Sequence, residues 1–291
     1  MKLYIIQRYI ITTSLTLFLI SSCVDNKNTL EAQDKIELDS NPTLVNEVST
    51  FQSKDETGKI QLTQTRMKIH HSSSTLPMKN KPFQDDNFDT LELRLINLGL
   101  VDVQTVNPNI RVDLKYSSDD NFMGINVYGN LRKAFLRKEV AQKLNKAQEE
   151  LTRIDSNLFL LVYDAARPQW VQYKMWQLLD TVPVNIRTKF VSNPRNGSLH
   201  NYGAAVDLTI CDKFGNILDM GAGFDDPREI AYPSKENYFF RRGLLSAEQI
   251  KNRQLLRKVM NLAGFYNIQT EWWHFNSESL DQAKKKYQLI P

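Results

Sequence analysis

The sequence predicts an α+β fold: a single domain with a mainly antiparallel central sheet flanked by helices, preceded by a disordered, flexible tether. Three observations predict it. Short runs at strand period and longer runs at helical spacing are both present beyond residue 90. They do not follow a regular strand-helix-strand rhythm, which argues against a parallel sheet. Before residue 90 the chain is polar and lacks sustained periodicity of either kind.

The N-terminus carries Lys2 and Arg8, then an apolar stretch from Ile10 to Ile20, then Ser21-Ser22-Cys23. A basic start, an apolar core too short to span a bilayer comfortably, and small residues before a cut are the parts of an export signal. Residues 1–22 are therefore expected to form a lipoprotein-type signal peptide. Cys23 stands where a bacterial lipobox, which this stretch resembles, places the lipidated first residue of the mature chain; Ile20 and Ser21 depart from the usual Leu and Ala. The other reading is an uncleaved membrane helix. Both readings export the rest of the chain to the periplasmic or cell-envelope side, and the first attaches it to a membrane through a lipid.

Only one other cysteine is present, Cys211, so a chain lipidated at Cys23 has no internal disulfide and must rely on an ordinary core. The 37 basic and 33 acidic residues give a net charge of +4, which falls further when Lys2 and Arg8 leave with the signal. So weak a balance argues neither for nucleic acid nor for a strong electrostatic partner, and no nucleic-acid partner is expected. Residues 23–89 are rich in Ser, Thr, Asn, Lys and Asp and read as a tether that lets a domain stand clear of a surface. His70 and His71 lie in it and read as solvated linker residues.

Residues 90–291 suit one domain. Ile110, Val112 and Leu114 alternate with Arg111, Asp113 and Lys115, a half-buried strand. Val140, Leu144, Ala147 and Leu151 recur at helical spacing, predicting an amphipathic helix over roughly Lys133 to Leu151. Leu158 to Tyr163 is an apolar strand broken by Asp164-Ala165-Ala166-Arg167-Pro168. Pro168 is a natural helix start, and Val171, Met175 and Leu178 continue the pattern. In Ala205 to Ile210, Val206, Leu208 and Ile210 share one strand face while Ala205, Asp207 and Thr209 share the other. Asp212 to Asn216 supplies turn chemistry, with Ile217 onward as a hairpin partner. Ser246-Ala247-Glu248-Gln249 is a capping box opening a helix to about Leu262, with Gly264 near its end.

Two histidines, His200 and His274, are the only ones beyond the tether. A hydrolytic zinc centre takes three protein ligands and keeps one position open for water, acidified on the metal. His200, Asp207 and His274 supply the ligand types, and Gly203 relaxes the backbone between the first two. Glu271 then remains as a general base for zinc-activated water. Glu271 and His274 are three residues apart, so a regular strand through Trp272 and Trp273 points them oppositely; a bend, a bulge or a strand end is expected there. Taken separately, each of these residues reads as a core or turn residue. Their joint presence points to metal chemistry.

At this point the chain resembles the D-alanyl-D-alanine dipeptidases, a family of zinc peptidases. Ser198, His200, Gly203, Ala205 and Asp207 match Ser-x-His-x-x-Gly-x-Ala-x-Asp, and Glu271, Trp273 and His274 match Glu-x-Trp-His. Asp113 to Tyr116, Asp120 to Gly124, Asp164 to Pro168 and Met220 to Asp225 match further family segments in order. The resemblance implies one Zn²⁺ per chain on His200, Asp207 and His274, Glu271 as base, and Arg167 as partner of the oxyanion formed when water attacks the peptide carbonyl. It also implies Tyr116 and Asp225 near the ammonium of the small peptide substrate, D-Ala-D-Ala, and Ser198 near its carboxylate. Cell-wall peptide turnover is the context it implies.

Two other readings remain at this point. One is a murein D,D- or L,D-carboxypeptidase acting on longer wall peptides; the other is a non-catalytic, zinc-containing lipoprotein that binds wall fragments. Glu271 and Arg167 weigh against the second, since a structural zinc site needs neither. Ser198 lacks the Gly-x-Ser-x-Gly elbow of a serine hydrolase, and Cys211 has no supporting nucleophile motif.

Overall fold

The computed structural model describes residues 89–291. The expected signal peptide, Cys23, and the tether with His70 and His71 lie outside the described residues, apart from Asp89, which opens the first helix, α1 (Asp89–Asn97). Among the described residues no helix is long and apolar enough to cross a membrane.

A five-stranded sheet carries the molecule. Its strands are β2 (Arg111–Val112), β4 (Leu158–Asp164), β5 (Ala205–Asp212), β6 (Tyr266–Asn267) and β7 (His274–Asn276), in the order β2-β4-β5-β7-β6. Only β2 and β4 run parallel; every other neighbour in this sheet is antiparallel. A separate antiparallel pair joins β1 (Leu100–Asp102) to β3 (Phe135–Arg137), and the short helix α2 (Val103–Val106) follows β1. The α+β expectation with a mainly antiparallel sheet is therefore borne out.

Alternation along β5 explains its central place. Val206, Leu208 and Ile210 point into the main apolar core. Helix α3 (Lys138–Ile154) packs Val140, Leu144, Ala147 and Leu151 into that core, and α7 (Ala247–Leu262) adds Leu256, Val259 and Met260. On the opposite face, Ala205 joins a smaller cluster with Leu199, Tyr202, Ala204 and two residues from the C-terminal part, Ala283 of α8 (Leu280–Lys286) and Tyr287. Asp207 shares that second face.

Two local expectations are corrected. The amphipathic helix starts at Lys138, not Lys133, because Phe135 to Arg137 pair with β1 and keep those residues extended. Ile217 makes one isolated bridge to Cys211 instead of opening a hairpin strand. The turn itself forms as read: Asp212 caps it through the amides of Phe214 and Asn216.

Helix α4 (Gln169–Leu178) begins directly after Pro168 and buries Val171 and Met175, and α5 (Val184–Arg187) follows it. Ser246 and Gln249 make the reciprocal capping box at the start of α7, and α6 (Glu236–Arg241) precedes that helix.

Candidate metal centre

His200 sits in a single 3-10 turn, Leu199–Tyr202, whose start is fixed by Ser198 and Asn201 capping each other. Gly203 ends the turn with φ +67°, where a Cβ would lie 2.9 Å from Leu100 Cδ2. That position therefore requires glycine both for its backbone and for its close approach to β1. The turn delivers His200 to the edge of β5 just before Ala205.

Asp207 follows on β5 and is paired in register with His274, the first residue of β7. Across the other side of β5, the ladder to β4 slips between Val162 and Asp164. Leu208 pairs with Val162, yet Asp207 pairs with Asp164, so Tyr163 is the extra residue of a bulge. Without that bulge Asp164 would fall opposite Val206, on the apolar side. With it, Asp164, Asp207 and His274 form one row across three adjacent strands.

The three expected ligands converge. One ligand atom from each of His200, Asp207 and His274 lies within 4.8 Å of the others. His200 Nε2 is 3.2 Å from His274 Nδ1 and 3.4 Å from Asp207 Oδ2, and His274 Nδ1 is 2.8 Å from Asp207 Oδ1. Donors on a tetrahedral zinc ion at the usual bond lengths stand roughly 3.3 Å apart. Two imidazole nitrogens and one carboxylate oxygen at these separations fit that ion.

Each imidazole has its far nitrogen engaged. His200 Nδ1 donates to the Ala165 carbonyl at 2.6 Å, and His274 Nε2 donates to Asn276 Oδ1 at 2.8 Å. These bonds leave His200 Nε2 and His274 Nδ1 as the nitrogens that face Asp207, and they hold the ring planes. Despite the penalty of burial, the neighbouring His200 and His274 keep the Asp207 carboxyl far below the usual carboxylate range. In turn, although burial opposes it, Asp207 lifts the His274 imidazole to about 9.

Glu271 does not lie on the strand. It precedes β7 in the bend Glu271-Trp272-Trp273, so its carboxylate turns to the same side as His274, with Oε2 at 3.9 Å from His274 Nδ1. Of the sequence expectations the bend and the strand end are both realised, and the bulge is not the cause here. Burial pushes the Glu271 carboxyl up to about 7, against the attraction of His274.

Arg167 is buried and held by Asp164, whose Oδ2 accepts from Nε at 3.0 Å and from Nη2 at 2.5 Å. Nη2 also stands 3.8 Å from Asp207 Oδ2, and the guanidinium lies over the Tyr116 ring. Asp164 Oδ1 accepts from the Tyr128 hydroxyl at 2.7 Å. The Tyr116 hydroxyl donates to Asp225 Oδ1 at 3.0 Å. Asp225 has φ +57°, a left-handed conformation that its surroundings must maintain.

All eight residues singled out beyond the tether line one cavity of about 250 Å³: Tyr116, Arg167, Ser198, His200, Asp207, Asp225, Glu271 and His274. Thr188 to Ser192 and Trp273 close other parts of its wall. Sequence reasoning missed Asp164 and Asn276. Asp164 read as a strand break, and the signal that could have exposed it was a carboxylate ending an apolar strand three residues before Arg167. Asn276 lies two residues after His274 and so shares its strand face.

A sequence profile of the D-ala-D-ala dipeptidase family matches residues 96–289. The chain is 37% identical over 176 residues to a D-alanyl-D-alanine dipeptidase of Escherichia coli K12, covering 60% of this chain and 83% of that protein. It is 28% identical over 194 residues to a D-alanyl-D-alanine dipeptidase of Enterococcus faecium, covering 62% of this chain and 92% of that protein. Among solved structures, an LdcB LD-carboxypeptidase aligns with a TM-score of 0.33 and 15% identity over 52% of this chain and 63% of that one.

Proposed function

The chain belongs to the D-Ala-D-Ala dipeptidase family of M15 peptidases, and we propose that it hydrolyses the dipeptide D-Ala-D-Ala to two D-Ala in a zinc-dependent reaction, linked to cell-wall peptide turnover. The observation that carries the reading is the convergence of His200, Asp207 and His274 with Glu271 and Arg167 in one small cavity. His200 Nε2, His274 Nδ1 and Asp207 are the groups that would hold the metal. When bound, zinc supplies acidified water at neutral pH and polarises the carbonyl under attack.

The chain's own residues supply the rest. Glu271, recessed and with a raised pKa, takes a proton from the attacking water and passes it to the departing amine, a role worth about 10²–10⁴ in rate. Arg167 is locked by Asp164 with its charge at the cavity, so the negative charge developing on the carbonyl oxygen meets a donor that does not need to reorganise. Asp225, with Tyr116, receives the substrate ammonium, and Ser198 receives the carboxylate. A dipeptide brings both charges into the pocket, and each needs a partner there.

Cavity size favours a small substrate. At about 250 Å³ it lies below the roughly 300–1,000 Å³ of pockets that take drug-sized ligands. Free D-Ala-D-Ala and an N-blocked peptide with the same ending, offered to purified protein side by side, test this. Release of D-Ala from the free dipeptide is expected, and preference for the blocked peptide overturns the dipeptidase reading in favour of a wall carboxypeptidase.

The location proposed is outside the cytoplasm, with the chain held to a membrane by a lipid on Cys23. The basic start, the apolar stretch and the placement of Cys23 after two serines support it. Mass analysis of the membrane-fraction protein should find Cys23 as the first residue and carrying a lipid; an unmodified Cys23 removes the lipid from the reading.

A further inference from the structure

The segment from Met220 to Ile230 carries Asp225, and both of its ends reach one buried side chain. Arg253, on α7, is 1% exposed. Its Nε donates to the Met220 carbonyl at 2.7 Å, and its Nη2 donates to the Ile230 carbonyl at 3.0 Å. The planar guanidinium thus bridges the two ends of a loop whose tip lines the substrate cavity. Glu236 stands 3.5 Å from its Nη1 and is itself gripped at both oxygens by Arg257.

The same helix face holds the entry of the loop. Gln249, three residues before Asn252 and four before Arg253, donates to Asp219 Oδ2 at 2.7 Å, and Asn252 donates to the Asp219 carbonyl at 2.9 Å. Gly221, at φ +73°, lies so close to α7 and the residue before its cap that a Cβ there would meet Leu245 Cδ2 at 2.3 Å and Gln249 Oε1 at 2.9 Å. Further along, the Trp272 indole donates to the Ala222 carbonyl at 3.1 Å, and Phe224 packs on the Tyr116 and Trp273 rings. Asp225 follows in its left-handed conformation, which survives only where the neighbours over-determine it.

We propose that Arg253 is a positioning residue for substrate recognition: by clasping both ends of the Met220-to-Ile230 loop it sets Asp225 against the substrate ammonium. It touches neither substrate nor metal ligands, and acts through the loop. Lysine keeps the charge but offers a compact ammonium in place of a planar fork, so it cannot reproduce both bonds in the same geometry. This inference rests on the dipeptidase reading for the meaning of Asp225, but not for the clasp itself.

The test compares wild type with Arg253→Lys in the full chain. Because the ammonium contact is present in ground and transition states alike, KM for D-Ala-D-Ala should rise about tenfold with kcat within about twofold. Adding Asp225→Ala to Arg253→Lys should raise KM much less than it does in wild type, since the two act on one contact. An unchanged KM, or full additivity, overturns the proposal. Hydrogen exchange reads the clasp without any turnover: the hydrogen-bonded amides of the loop, Gly221, Asp226 and Arg228, should be protected in wild type and exchange faster in the variant. Unprotected Gly221, Asp226 and Arg228 amides in wild type overturn the clasp, including the case where the variant fails to accumulate. A wild type that is inert to D-Ala-D-Ala but slow to exchange in this loop would sink the functional reading and leave the clasp standing.

Discussion

Asp207 and His274 face one another in register across β5 and β7, with Oδ1 of the carboxylate 2.8 Å from Nδ1 of the imidazole. Two strands with a fixed register therefore set the spacing of two of the proposed ligands, and the 3-10 turn at their edge adds the third. The sheet register fixes Asp207 and His274, and the reciprocal cap of the turn fixes His200.

Removing the base should separate chemistry from metal binding. Glu271→Ala should lower turnover of D-Ala-D-Ala by about 10²–10⁴ while metal content stays that of wild type. Elemental analysis beside the kinetics checks this; loss of metal with activity would make Glu271 a ligand.

Asn276 fixes the ring of His274 from behind, so its removal should act on the metal and not on the fold. Asn276→Ala should weaken zinc binding by about 10–100-fold in competition with a chelator, with circular dichroism unchanged. Unaltered affinity would show that the hydrogen bond does not orient the ligand.

Zinc affinity should rise with pH. In the metal-free protein His274 is raised to about 9, so below that pH its proton must leave before Nδ1 can bind a cation. Zinc affinity measured in competition with a chelator should rise as pH climbs towards 9 and flatten above it. An affinity that does not change between pH 6 and 9 would contradict the pairing of His274 with Asp207.

For turnover the sign is set by Glu271, which must be ionised to accept a proton. Burial raises its carboxyl to about 7, and a bound cation pulls it back down, so kcat/KM should fall as pH drops through a value at or below 7. Glu271→Gln should remove that acid limb from the small residual rate; a limb retained in the variant belongs to another group.

The proposed oxyanion role of Arg167 depends on Asp164 holding its guanidinium in place. Arg167→Lys keeps a charge but loses the two-pronged bond, and should cost about 10²–10³ in kcat. A change confined to KM would move Arg167 from the oxyanion to ground-state binding.

Much of this was legible in the residues. Alternation along Ala205 to Ile210 put Asp207 on the polar side of its strand, and the structure keeps it there because Val206, Leu208 and Ile210 fill the core. The Glu271 and His274 conflict was also visible, as two side chains three residues apart that one strand cannot turn the same way. What pattern alone could not show were the long-range pairings. Phe135 to Arg137 read as helix until β1 claimed them, and Asp164 read as a break because only the bulge opposite Asp207 turns it to the site. Arg253 sits in a charged helical run, and its burial depends on a loop some thirty residues earlier in the chain.

The central claim is that this cavity binds zinc and cleaves a free dipeptide. The most direct measurement is metal content together with D-Ala release from D-Ala-D-Ala, before and after chelation and zinc return. About one zinc per chain is expected, with activity lost on chelation, regained with zinc, and the fold unchanged throughout. Folded, zinc-loaded protein that releases no D-Ala from the free dipeptide would contradict the account.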